Sequence, residues 1–345
     1  MARIRDFGIT IGKGETGKLN KITDVPGVKV GHATIDTEEH KTGVTVILPA
    51  EDNVFVNKLT AAAYVHNGFG KTAGLLQVEE LGTLETPIAL TNTMNVGKVH
   101  DAIVEYMVKE SKKIGVEVTS INPVVGETND SRLNYIQERA VETEHVMAAI
   151  ASACEDFEEG DVGAGKGTVC FGLKGGIGSA SRIVEIGEKR YTLGVLVQSN
   201  FGATKTLSVN GDPVGERIEA LTAAETLDRG SIMMIIATDL PVSDRQLKRI
   251  IKRAGVGLSR VGSFMGHGSG DIMIGFTTAN RISYDKEIDT ATIEILNESK
   301  IDKAFVAVAE ATEEAILNSL AAAHTVTGYQ GATKRAFSEL YPAVK

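Results

Sequence analysis

A polar turn, Asp228-Arg229-Gly230-Ser231, opens into Ile232, Met233, Met234, Ile235 and Ile236 without a break. Such a run predicts a strand over 231–239 buried on both faces. Similar β-branched stretches predict strands at 42–49, 87–93, 115–122, 166–173, 179–187, 190–200 and 271–279. The pair 179–187 and 190–200 reads as a hairpin turning at Gly187-Glu188-Lys189. Between the strands the period changes from two to between three and four. Val99, Ile103, Tyr106 and Met107 share one face of a helix over 96–115, which Gly115 ends. A helix over 143–157 opens with Thr143 as N-cap. Ser243 with Gln246 forms a capping box ahead of Leu247, Ile250, Ile251, Ala254 and Leu258, so a helix is predicted over 243–258. An alanine-rich helix covers about 302–323.

Strands cluster at 166–200, so the elements do not alternate as in a doubly wound sheet. Helices layered over sheet fit the order best, an α/β protein. No repeat or low-complexity linker divides the 345 residues, and the polar segment 202–230 is the best place for an exposed connection or a cut.

Composition narrows the function. Hydrophobic residues are 42% of the chain, enough for a sizeable core, and the net charge of −9 comes without a Lys/Arg run, which argues against nucleic-acid binding. No apolar segment reaches the ~20 residues that cross a bilayer, and none at the start has signal-peptide length; the expectation is a cytoplasmic protein. Cys154 and Cys170 read as reduced core thiols. Seven scattered histidines show no ligand spacing, so no metal is expected. Gly163-Ala164-Gly165-Lys166-Gly167-Thr168 misses the phosphate-loop pattern, and Gly172, Gly175 and Gly178 miss the dinucleotide one.

Candidate chemistry lies at strand ends. Gly230-Ser231 is either an ordinary turn and strand opener or a self-cleavage site. In the second case the Ser231 hydroxyl attacks the preceding carbonyl, which glycine leaves open. The new α-amine, with a pKa of about 7.7–8.0, then stands ready as a base. The connector Gly262–Asp271 (GSFMGHGSGD) offers His267, Ser269 and Asp271. Asn200 ends the 190–200 strand, either as an Asx turn or as an oxyanion donor. Gly126-Glu127-Thr128-Asn129-Asp130, read as a loop, offers a carboxylate for a substrate ammonium, with Arg132 nearby. Thr91–Gly97, with Asn95, enters a helix and can line a polar pocket.

Stretches over most of the chain carry a resemblance: ITDVPGVKVGHATI (22–35), TGVTVILP (42–49), LTNTMNVG (90–97), NPVVGETND (122–130), GSIMMIIATDLP (230–241) and LKRIIKRAGVGLSRVGSFMGHGSGDIMIGFTTAN (247–280). The chain resembles the self-processing aminopeptidases typified by the L-aminopeptidase D-amidase/D-esterase, which include the β-peptidyl aminopeptidases. The resemblance implies a layered α/β/β/α sandwich like the N-terminal-nucleophile hydrolases and the ornithine acetyltransferases. It implies a single domain, 1–345, that cuts itself into 1–230 and 231–345, and a homotetramer of processed protomers. It implies Ser231 as nucleophile, Ser269 and Asp271 as its partners, Asn200 at the oxyanion, Glu127 at the substrate amine, and no cofactor. Some members carry Glu in place of Asp271, Asn in place of His267 and a large ring in place of Arg132. The implied activity is removal of N-terminal residues from short peptides, amides or esters. Acyl transfer of the ornithine acetyltransferase type, or ligand binding without catalysis, are the alternatives.

Overall fold

The computed structural model describes residues 2–222, 230–285 and 287–345. In chain order the first twelve strands are β1 (Lys29–Asp36), β2 (Lys41–Leu48), β3 (Asn57–Gly68), β4 (Thr83–Leu84), β5 (Ile88–Asn92), β6 (Val124–Thr128), β7 (Val169–Cys170), β8 (Leu173–Lys174), β9 (Gly176–Ile186), β10 (Lys189–Asn200), β11 (Gly230–Thr238) and β12 (Ser269–Ser283). The main helices are α1 (Leu75–Leu81), α2 (Val96–Lys113), α3 (Thr143–Ala151), α4 (Gly215–Thr222), α5 (Asp244–Ile251), α6 (Ala254–Arg260) and α7 (Asp302–Ala321).

Two sheets stack face to face. One has the order β1-β2-β5-β6, the other β4-β3-β12-β11-β10-β9. Helices α2 and α3 cover the first; α5 and α7 cover the second, with α6 packed on α7. The apolar run of β11 shows why four layers result. Ile232, Met234 and Ile236 enter the core shared with α5, α6 and α7. Met233, Ile235 and Ala237 enter the core shared with the other sheet. A strand in the middle of a sandwich needs apolar side chains on both faces.

The 190–200 hairpin, the 42–49 and 87–93 strands and the long C-terminal helix form within a few residues of expectation. The Ser243 cap also forms: its Oγ accepts from the Gln246 N–H at 3.2 Å, and Gln246 accepts from the Ser243 N–H. Other expectations need correction. Residues 115–122 form no strand; the strand is β6, which pairs in parallel with β5. The 143–157 helix stops at Ala151, because Cys154 pairs with Val30 on β1 instead, and this leaves Cys154 exposed. Its N-cap is Glu142, whose N–H donates to His145 Nδ1, rather than Thr143. The 243–258 helix is two helices; Gly257 lets α6 lie against α7, where a Cβ would stand 2.4 Å from the Ala309 carbonyl oxygen. Residues 166–173 hold only the two-residue ladder of β7 and β8. The segment 202–230 begins buried at Gly202–Thr204, and its residues 223–229 lie outside the described residues.

An ion cluster ties the N-terminal segment to the helical side. Arg182 on β9 is 0% exposed, yet it bonds Glu310 at 3.0 Å and Glu314 at 2.7 Å on α7. Its remaining donors reach the Ser181 and Ile11 carbonyls. Arg5 adds a second bond to Glu314 at 2.6 Å. Burial opposes ionisation of Glu314, but Arg5 and Arg182 more than offset it and hold the carboxyl below its ordinary range. Arg182→Met strands carboxylates in a dry layer. It is expected to cost about 3–5 kcal/mol, read from the urea midpoint of unfolding; a change under about 1 kcal/mol would mean that the cluster is neutral.

Candidate active site

The two sheets bring strand ends from distant parts of the chain to one edge. Asn200 closes β10, Gly230 opens β11, Ser269 opens β12 and Glu127 lies near the end of β6. Register fixes their neighbours: Asn200 pairs with Ser231 across the antiparallel ladder, and Ser231 pairs with Gly270 across the parallel one. A cavity of about 520 Å³ opens there, lined by Ser231, Gly230, Asn200, Glu127, Arg132, Lys71 and Thr93 among others.

The Ser231 hydroxyl oxygen accepts from the Gly270 N–H at 3.1 Å. The residue before it has a conformation that only glycine adopts without strain. Gly230 has φ +146°, and a Cβ there would stand 1.7 Å from the Asn200 carbonyl oxygen. The scissile candidate is thus a peptide with bare flanks, seated on the central strand.

Asn200 is held from both ends. Its Oδ1 accepts from the Val169 N–H at 2.9 Å, which fixes the amide orientation. Its Nδ2 donates to the Asn129 carbonyl at 3.0 Å. An amide nitrogen carries two hydrogens, so a second remains for the cavity that Asn200 lines.

Glu127 is on a strand, not in a loop, which corrects the expectation. It is 3% exposed. Oε1 accepts from the Lys71 N–H at 2.8 Å and Oε2 accepts from the Thr93 hydroxyl. Both bonds aim a carboxylate along the cavity wall. Asp130, three residues on and past the end of β6, is fully buried; burial pushes its carboxyl up to about 6, against hydrogen bonds from Thr42, Asn134 and Asn92.

Four expected residues stand differently. Asn95 is buried before α2, its Nδ2 given to the Val141 carbonyl at 2.9 Å, and it is not among the cavity residues. His267 is exposed, with its ring 6.2 Å from that of Phe69. Ser269 and Asp271 are buried and bonded to each other at 2.8 Å. They flank Gly270, so strand alternation turns them to the opposite face of β12 from Ser231's side, and neither lines the cavity. Ser269 is nonetheless the register partner of Gly230, about 4.8 Å away across the ladder.

Sequence reading missed Lys71, Asn129 and Asn67. The Asn67 Nδ2 donates to the Gly266 carbonyl at 2.9 Å and to that of Ser269, which fixes the glycine-rich loop. Lys71 and Asn129 act through their own backbone groups and Asn67 acts on backbone carbonyls, contacts that leave no paired residue-type signal. Among the described residues, Glu39, His40 and Glu138 have metal-ligand spacing, at the surface and away from the cavity.

A serine at the mouth of the central strand of an α/β/β/α sandwich defines a class, the hydrolases of the N-terminal-nucleophile fold. The whole chain superimposes on the L-aminopeptidase D-Ala-esterase/amidase of Ochrobactrum anthropi, whose structure was described as a variant of that fold (TM-score 0.92, 34% identity, 100% of this chain and 98% of that one). A Pyrococcus horikoshii protein structure is similar at 48% identity and TM-score 0.93, over 99% of this chain and 98% of the other. The β-peptidyl aminopeptidase of Sphingosinicella microcystinivorans is 40% identical over 96% of this chain and 88% of its own. Residues 20–334 match Peptidase family S58, and the chain belongs to that family. It is a serine aminopeptidase/amidase.

Proposed function

We propose that the chain activates itself at Gly230-Ser231 and then removes N-terminal residues from short peptides, amides or esters. The observation that carries this is the company Ser231 keeps in one cavity: Gly230 without room for a side chain, Asn200 across the ladder and Glu127 on the wall. In the self-cut, the Ser231 Oγ attacks the Gly230 carbonyl carbon. The C–N bond breaks, and the hydroxyl proton ends on the Ser231 nitrogen. Water then opens the ester and leaves the Gly230 carboxylate. Fragments 1–230 and 231–345 stay paired because β11 lies between β10 of the first and β12 of the second.

In turnover the Ser231 amine takes the Oγ proton as the oxygen attacks the substrate carbonyl. The free Nδ2 hydrogen of Asn200 meets the oxyanion. The departing amine takes the proton, and water releases the acid from the acyl-enzyme. Ser269 and Asp271 act from beneath the strand, holding Gly270 and the new amine. Glu127 receives the substrate ammonium, the feature that makes the enzyme an aminopeptidase. Arg132 lines the same space and suits a substrate carboxylate. Large exposed apolar side chains, Leu76 (87%), Leu81 (62%) and Phe264 (64%), favour a homo-oligomer, for which sedimentation is the measurement.

The test uses a panel of aminoacyl p-nitroanilides of L, D and β type, each free and N-acetylated. The wild type is expected to turn over only the free amines. Glu127→Gln is expected to raise KM about 10–100-fold with a smaller change in kcat. Equal turnover of acetylated substrates by the wild type would sink the ammonium role.

A further inference from the structure

Lys174 is the one buried lysine whose ammonium has no carboxylate within salt-bridge distance among the described residues. Its Nζ donates instead to three backbone carbonyls, those of Gly165 at 2.8 Å, Thr168 at 2.9 Å and Gly175 at 2.7 Å. Burial pulls its pKa down to about 7, against the pull of Asp161. A group that costs this much to bury is retained only where its three hydrogens are all used.

The three carbonyls lie on either side of Asn200's anchor, Val169. Gly165 and Thr168 precede Val169, and Gly175 follows the β7–β8 turn. Val169 supplies the N–H that fixes the Asn200 amide. The turn itself is strained: Phe171 has φ +50°. It is docked onto the residue after Asn200, with the Phe171 N–H donating to the Phe201 carbonyl at 2.6 Å and the Thr204 hydroxyl to the Phe171 carbonyl at 2.8 Å. Lysine, loop, Val169 and Asn200 form one rigid chain of contacts, from a dry interior to the cavity.

We propose that Lys174 is a positioning residue for the oxyanion amide, acting through the Val169 N–H on Asn200. This rests on the role given to Asn200 above. The ammonium matches three carbonyls, where a neutral amine or an amide leaves at least one without a donor. Loosening that loop frees the Asn200 side chain to rotate, and a displacement of about 1 Å is enough to cost about 100-fold in rate.

The experiment is a double-mutant cycle on Lys174→Met and Asn200→Ala, with the fraction of cut chain measured first and rates quoted per cut chain. Asn200→Ala alone is expected to lower kcat about 100–1000-fold. Lys174→Met is expected to lower kcat about 10–100-fold with KM within about 2-fold, and to change it less than about 3-fold further in the Asn200→Ala background. Hydrogen exchange of the peptide holding Val169 is expected to speed up in Lys174→Met. If Asn200→Ala keeps full rate, the oxyanion reading fails. If Asn200→Ala is slow and the two losses multiply, the Lys174 inference fails while that reading stands. Lys174→Gln, which keeps two donors, is the second variant. If neither Lys174 variant folds, Lys174 is a stability residue and the inference is overturned.

Discussion

Ser231→Ala will stay in one piece on a denaturing gel and will hydrolyse no aminoacyl anilide above background. Two functions are expected to be lost together, because in the proposed mechanism the same hydroxyl makes the self-cut and attacks the substrate. Removing a nucleophile of this kind lowers turnover by a factor on the order of 10⁴ or more. Folding is expected to survive: the side chain is small, and its recorded bond is one acceptance from Gly270. Ser231→Cys separates the two roles from mere structure, since a thiol still attacks the Gly230 carbonyl and is expected to restore the cut at least in part. N-terminal sequencing of the wild type reads the same point directly, with Ser-Ile-Met-Met as the expected new terminus. Cleaved, active Ser231→Ala would move the nucleophile elsewhere.

Gly230→Ala will accumulate as uncut chain although its serine is untouched. The added methyl group would stand 1.7 Å from the Asn200 carbonyl oxygen, and φ +146° is closed to alanine. The backbone must therefore move at the carbonyl that Ser231 is proposed to attack. Strain of this kind costs about 1–3 kcal/mol. The larger effect is geometric, because a carbonyl displaced by about 1 Å is cut about 100-fold more slowly. A time course of band conversion after synthesis measures it. Cutting at the wild-type rate would show that the peptide need not hold its glycine geometry.

These expectations grew from features that the sequence displays unequally. The run Ile232–Ala237 announces a strand buried on both faces, since only such a strand has no polar alternation. β3 escapes notice because Ala61, Ala62 and Ala63 carry a helical propensity. The sandwich needs them for size: Ala62 faces one core while Ala61 and Ala63 face the other. Residues 115–122 mislead in the other direction, with β-like residues that end up beside β6 rather than in it. In the site, Ser231, Asn200 and Ser269 are legible because their types are suggestive at strand ends. Glu127 is legible as a carboxylate but not as a strand residue, since a short parallel strand next to β5 leaves no alternation to read. Lys71 bonds Glu127 across 56 residues of sequence through its backbone N–H alone. Lys174 serves three carbonyls. Contacts made by backbone atoms are independent of residue type, and only the folded chain reveals them.

The ladder from Leu193↔Thr238 to Asn200↔Ser231 has one more consequence. Before the cut it joins two parts of a single chain, and folding is a unimolecular event in which every partner is tethered. If the chain makes the proposed cut, the same ladder becomes a seam between two molecules. Refolding then depends on concentration and on two fragments meeting, each exposing half of a core. A protein processed in the proposed way would thus inherit a fold from a longer precursor that it is poorly placed to rebuild. Its working lifetime would then be governed by how slowly the seam opens, a rate, rather than by the balance between folded and unfolded forms.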